Sequence, residues 1–378
     1  MIGNLDYSIL QQLWWLICSV VGSLFLFLTF VQGGQTLIFT TATTEEEKSL
    51  IINTMGRKWE LTFTTLVLFG GALFAAFPLF YATSFGGAYW VWMLILFTFI
   101  LQAVSYEYRK KPNNFLGART YEIFMCINGS VGILLVGAAV GTFFSGSSFS
   151  LNMYNSVTWG TSYHGLEAAL NLFNLSFGLF LVFLARVLGA MYIVNHVDHE
   201  PLVTRARKAT LINLIWSLPF LLIILFKLVT MDGYAVDPAT GTVFIEKGKY
   251  LHNLLGMPII LVLLLGGLVS VVYGVIATAF LGKNGGIWFG GVGTVLVGLA
   301  IFSLAGYNNT AFYPSLTDLQ SSLTIYNASS SKYTLTVMSY VAIAVPFVLG
   351  YIAYVWKLMD AKKLTLAELQ SEDSNEMY

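Results

Sequence analysis

Residues 254–281 read LLGMPIILVLLLGGLVSVVYGVIATAFL, a run without one Asp, Glu, Lys or Arg. A helix rises about 1.5 Å per residue, so about twenty apolar residues cover the ~30 Å hydrocarbon core of a bilayer. The run is long enough to cross, and about nine such stretches recur along the chain. The others are placed near Leu10–Phe30, Leu61–Tyr81, Tyr89–Tyr106, Ile123–Phe144, Leu166–Tyr192, Leu211–Thr230, Ile287–Tyr307 and Leu335–Trp356. Their apolar residues are continuous rather than alternating, and each run exceeds the strand length of a barrel, so helices are predicted. Over all 378 residues, 57% are hydrophobic and only 10% charged, and mean hydropathy is +0.74. A water-soluble domain of this size cannot hide that much apolar surface. The chain reads as an all-α integral membrane protein.

Charge then orients the spans. If nine helices alternate in direction, one face carries Lys48, Arg57, Lys58, Arg109, Lys110, Lys111, Arg119, Arg186, Arg205, Arg207, Lys208, Lys283, Lys357, Lys362 and Lys363, which is 15 of the 19 basic residues. The other face carries Lys227, Lys247, Lys249 and Lys332. The positive-inside rule puts the N-terminus outside and the C-terminus in the cytoplasm, and an eight-span arrangement would scramble the split. The first run lacks a basic leader and a small-residue cleavage pattern, so it reads as an uncleaved helix. Cys18 and Cys126 fall inside predicted spans and point to no disulfide framework.

Between the first two spans, Thr44-Glu45-Glu46-Glu47 is a capping-box helix start with acids in its first turn. The helix it opens carries Leu50, Ile51 and Met55 before Arg57-Lys58, which suits a segment lying at the cytoplasmic interface. Met231–Tyr250 and Asn308–Tyr333 read as outer loops, and the tail Asp360–Tyr378 is expected to have little order. Gly286, Gly290 and Gly293 let helices approach closely and carry no function.

Ionisable residues at membrane depth are costly and are the first functional candidates. Glu60 leads them: it follows Lys58-Trp59 at the cytoplasmic end of the second span, where a helix N-terminus stabilises an anion. The plainer reading, a helix-start carboxylate beside an interfacial Trp, is favoured by composition alone. Glu107 and Arg109 read as an interfacial cluster pairing with neighbours, Glu122 and Glu167 as helix-start acids, and Arg186 as a side chain reaching for the interface. His196 and His199 fall in a predicted cytoplasmic loop, where solvated histidines are commoner than metal ligands. His164 and His252 lie at outer ends of spans. With no histidine at mid-membrane, the chain is not expected to hold haem by paired imidazoles. Nucleotide-binding glycine motifs and clustered metal ligands are missing from the sequence. These residues alone describe a polytopic helical protein with a proton-accepting carboxylate, and a small-solute or ion transporter fits them as well.

Several segments together resemble the second subunit of cytochrome bd-type quinol oxidases. The strongest is Gly70-Gly71-Ala72-Leu73-Phe74-Ala75-Ala76-Phe77-Pro78, continuing to Tyr81-Ala82 and Ser84-Phe85. Lys58-Trp59-Glu60 stands where the family has a Trp-acid pair, and Tyr106-Glu107-Tyr108-Arg109 matches its aromatic-acid-Tyr-Arg element. Ser322-Leu323-Thr324 with Asn327-Ala328-Ser329-Ser330 and Thr334-Leu335 matches its last outer loop, and Leu13-Trp14-Trp15-Leu16 its opening. The matches run in order along essentially the whole chain. Two departures stand out. The family's Asp-Gly-Phe-Asp-x-Gly motif at the end of span one is replaced by Thr29-Phe30-Val31-Gln32-Gly33-Gly34, and its Arg-Pro by Gln102-Ala103.

The resemblance implies two four-helix bundles plus one peripheral helix. On this chain, a single membrane domain, the first bundle would occupy 1–150 and the second 151–310, with the outer loop, last helix and tail over 311–378. It implies a subunit of a quinol:oxygen oxidoreductase in the bacterial cytoplasmic membrane that supports assembly and proton or oxygen access. A haem-binding subunit I would hold haems b and d and oxidise quinol. Small single-helix accessory subunits, lipids and quinone are further implied neighbours, with no nucleic acid, no metal and no catalytic residue in this chain. Glu60, with Trp59 packed beside it, becomes the main candidate for the proton route; Glu107 and Arg109 are weaker ones. A transporter would instead show broken helices in inverted repeats, which the sequence lacks. A purely structural assembly subunit would differ only in tolerating loss of Glu60.

Overall fold

The computed structural model describes residues 2–369. Among the described residues, nine helices are long and apolar enough to cross a membrane: Tyr7–Phe39, Glu45–Ala76, Tyr89–Tyr108, Ala118–Ser145, Leu172–His196, Glu200–Thr230, Pro258–Ala279, Gly286–Gly306 and Lys332–Met359. Several outrun their apolar cores because polar residues continue the helix into the aqueous interface. The sixth begins at Glu200 rather than near Leu211, helped by an acid and Pro201 in its first turn. The second consists of two helical pieces, Glu45–Gly56 and Trp59–Ala76, broken at Arg57-Lys58. The fourth carries a π turn over Asn128–Gly132. Three short antiparallel hairpins lie in the connections, pairing Phe149–Leu151 with Val157–Trp159, Gly233–Val236 with Val243–Glu246, and Ala311–Tyr313 with Leu323–Thr324.

Lipid removes the hydrophobic drive for helix pairing, so close backbone approach must supply it. The fifth span is the hub, packed against the first, fourth and sixth. A Cβ added at Gly189 would meet the Phe30 carbonyl at 2.8 Å, and one at Gly33 would fall onto the Ala185 backbone. Spans seven and eight meet the same way: a Cβ on Gly274 would lie 2.6 Å from the Gly286 carbonyl, and one on Gly293 2.8 Å from the Val271 nitrogen. The glycine spacing read from the sequence is thus a packing device. Trp15 ties span one to span eight by donating to the Phe302 carbonyl at 3.0 Å, and Trp14 donates to the Leu335 carbonyl of span nine at 3.0 Å. Span nine otherwise buries little, only Leu335 and Ser339 over its length.

Two expectations are corrected. Leu50, Ile51 and Met55 do not turn an apolar face to lipid; all three are fully buried in one cluster with Leu37, Ile38, Tyr192 and Ile193. Their apolar face is covered by other helices of the same chain instead of lipid. The tail is ordered as far as it is described: Leu364 is fully buried and paired to Val197. Residues 370–378 lie outside the described residues.

Candidate functional site at the basic end of the helices

Glu60 stands on the first turn of Trp59–Ala76 and is exposed on the chain's surface. Trp59, its neighbour, points inward, 9% exposed, and stacks on Tyr106 with ring centroids 5.7 Å apart and planes at 11°. The Tyr106 hydroxyl donates to Gln35 Oε1 at 3.1 Å. The turn carrying Glu60 is therefore pinned through Trp59 to span three and, through Tyr106, to span one.

Tyr106 opens onto a buried network made of amides and hydroxyls. Gln102 Nε2 donates to Gln35 Oε1 at 2.9 Å, Gln35 Nε2 to Asn128 Oδ1 at 2.9 Å and to the Met125 carbonyl at 2.7 Å. Gln32 Nε2 reaches Gln102 Oε1 at 3.3 Å, and Asn128 Nδ2 reaches Thr98 Oγ1 at 3.3 Å. Gln32, Gln35, Gln102 and Asn128 are all 0% exposed. The network joins spans one, three and four at the place where acids were missed in the sequence. Amides hold geometry here but cannot exchange a proton as a carboxylate does.

Below it lie the charges. Arg109 donates to Glu122 Oε1 through Nη2 at 2.7 Å and Nε at 3.0 Å, with side chains 4% and 1% exposed. Lys48 joins at 3.2 Å to Glu122 Oε2 and 2.7 Å to Glu45. Arg109 is thus committed to Glu122, not to Glu107, which is exposed. Reading Glu122 as a helix-start acid missed this, because its partner arrives from another span. Arg186 donates to Asn213 Oδ1 and Thr36 Oγ1, both at 2.7 Å, and to the exposed Thr40 hydroxyl at 3.2 Å, bracing spans one, five and six. Glu47 accepts from Thr43 at 2.7 Å and pairs with Arg205, while His199 approaches it at 3.2 Å.

His196 is corrected from a solvated loop position to the buried last turn of span five, 1% exposed. Its ring stacks on Tyr192 and faces Asp360 at 3.7 Å. His164 meets the Gly87 carbonyl and His252 a Glu246 oxygen. A cavity of about 30 Å³ among Phe25, Phe69, Phe80, Phe85, Trp92 and Tyr313, and a 380 Å³ apolar groove between spans one, two and nine, present no His, Met or Cys side chain. A haem ligated by imidazole or thioether does not fit the residues around these spaces. Among the described residues no cluster of three or more His, Cys, Asp or Glu is placed to hold a metal.

Residues 10–359 match the family described as "Cytochrome bd terminal oxidase subunit II". The chain is 30% identical over 369 residues to cytochrome bd-I ubiquinol oxidase subunit 2 of Escherichia coli K12, covering 94% of this chain and 95% of that one. It is 29% identical to a probable cytochrome oxidase subunit 2 of Haemophilus influenzae, over 93% and 94% of the two chains. It is 26% identical to cytochrome bd ubiquinol oxidase subunit 2 of Bacillus subtilis, over 90% and 93%. Its fold superposes on a chain of the bd oxidase of Geobacillus thermodenitrificans with a TM-score of 0.67 at 13% identity, covering 93% of this chain and 98% of that one. A family match over residues 10–359 and a relative 30% identical over 94% of the chain decide between an oxidase subunit and a transporter: the chain belongs to the cytochrome bd terminal oxidase subunit II family.

Proposed function

We propose that this chain is the haem-free partner subunit of a bd-type quinol:oxygen oxidoreductase and that Glu60 takes up protons for it. The observation that carries this reading is Glu60 itself, an exposed carboxylate on a helix start pinned by the Trp59–Tyr106 stack, beside a buried network that contains only amides and hydroxyls. An exposed carboxylate can accept a proton from water and hand it on to the rest of the complex, an exchange the neighbouring amides cannot perform. Oxygen reduction to water consumes protons, so a surface acid on the cytoplasmic side serves it directly. Arg109, already paired, and Glu107, outside the amide network, are weaker candidates.

The same reading places haems b and d and quinol oxidation in subunit I, the haem-binding partner. Accessory single-helix subunits, lipids and quinone belong to it as neighbours. It puts the basic end of the helices in the cytoplasm, with the N-terminus outside, and divides the chain into bundles over 1–150 and 151–310 with a last segment over 311–378.

The test is oxygen consumption by the assembled Glu60→Gln complex across pH. The amide keeps the shape but cannot exchange a proton, so turnover should fall, most strongly at high pH, with haem content unchanged. Glu60→Asp should retain more activity. Parental turnover by Glu60→Gln at every pH would remove the uptake role.

A further inference from the structure

Two acids that follow the last span close on the break in the second. Arg57 ends the piece Glu45–Gly56 and Lys58 precedes the piece Trp59–Ala76, with φ −130° and ψ −4°. Lys58 Nζ lies 3.1 Å from Asp360 Oδ1, the two side chains 2% and 8% exposed, and sits over the Trp356 ring at 5.4 Å. Asp360 also accepts from Trp356 Nε1 at 2.8 Å and from the Tyr192 hydroxyl at 3.0 and 3.3 Å. Arg57 Nη2 meets Glu368 Oε1 at 2.9 Å. Between these acids, Leu364 donates to the His196 carbonyl at 2.8 Å and accepts from Asp198 at 2.9 Å. The segment therefore crosses the end of span five and holds both residues of the break at once.

Burying a lysine and a carboxylate is costly, and the cost is offset only when geometry and further hydrogen bonds are good. Here three donors serve one carboxylate, so the pair holds Lys58 in a fixed place. Lys58 is two residues before Glu60, and its backbone angles set the direction of the turn that carries Trp59 and Glu60. We propose that Asp360 is a positioning residue for Glu60, acting through Lys58, with the segment 360–369 as a clasp on the break. The functional half of this rests on Glu60 taking up protons; the geometric half does not.

The experiment uses the assembled complex with Cys18 and Cys126 replaced by Ala and a nitroxide attached to Glu60→Cys. Asp360→Asn leaves the Lys58 ammonium without its counter-charge, and the ammonium can then leave for water and release the turn. The label's spectrum should gain a fast component. In unlabelled complexes Asp360→Asn should slow turnover 3- to 10-fold and change its pH profile, with no further loss on adding it to Glu60→Gln. Should Asp360→Asn block assembly, Lys58→Ala with Asp360→Ala strands no charge and removes the packing of both side chains along with the pair, and should free the label in the same way. An unchanged label spectrum overturns the clasp whatever Glu60 does. Losses that multiply in the double variant overturn positioning through Glu60. A freed label with parental turnover in Glu60→Gln keeps the clasp and removes the uptake role.

Discussion

Glu122→Ala is the sharpest test of the buried charge cluster. Glu122 and Arg109 are 1% and 4% exposed and joined by two hydrogen bonds to one oxygen. Removing one partner of such a pair strands the other and costs about 3–5 kcal/mol. Lys48 also loses a partner, but it is 20% exposed and keeps Glu45 at 2.7 Å, which adds less than about 1 kcal/mol. At about 2 °C per kcal/mol for a chain of this size, the melting temperature should drop by about 6–10 °C. The assay is thermal unfolding of the purified complex, followed by tryptophan fluorescence. Glu45→Ala, on a side chain 71% exposed, should shift it by no more than about 2 °C. Glu122→Met with Arg109→Met should recover most of the loss, because an apolar pair leaves no stranded charge. A Glu122→Ala complex melting within about 1 °C of the parent would refute the reasoning.

Three further outcomes follow from the packing. Tyr106→Phe loses one hydrogen bond while Gln102 still serves Gln35 Oε1, so it should cost only about 0.5–1.5 kcal/mol in the same melt. Gly33→Leu places a side chain where the Ala185 backbone already stands, and the complex should fail to assemble, read as loss of the heteromeric peak in gel filtration. In the hairpin Gly233–Val236/Val243–Glu246, the His252 hydrogen bond and then that from Lys249 hold the Glu246 carboxyl below its usual 4.5. A depressed acid stabilises above its unfolded value and loses that contribution as pH falls through its folded value. Hydrogen-exchange protection factors of the hairpin should hold from pH 7 to 5 and fall below pH 4.5, and Glu246→Gln should flatten that dependence.

The spans were legible because lipid imposes length and apolarity on each helix independently of its partners. The glycine contacts were legible for a similar reason, since small residues at helical spacing leave few other uses. What escaped the sequence depends on which helices meet. Leu50, Ile51 and Met55 make an apolar face that reads alike whether lipid or protein covers it. Glu122 sits 13 residues from Arg109, and no local pattern brings a helix-start acid to a cation on the preceding span. Asp360 looked like the start of a polar tail because Lys58 lies some three hundred residues away in sequence. His196 was placed in a loop because the apolar run ends near Tyr192, whereas the helix continues one more turn and buries the ring. Gln32 and Gln102 were noticed only as departures from the family's acid and Arg-Pro motifs, and Gln35 not at all; their mutual hydrogen bonds belong to the packing of three spans.

The central claim, a haem-free subunit that works only beside a haem-bearing one, is met most directly by a reduced-minus-oxidised visible spectrum. It should be recorded on the chain purified with its partner and again after separation. Haem bands that follow the partner and leave this chain colourless are the predicted result. Haem retained in stoichiometric amount by the separated chain would contradict it.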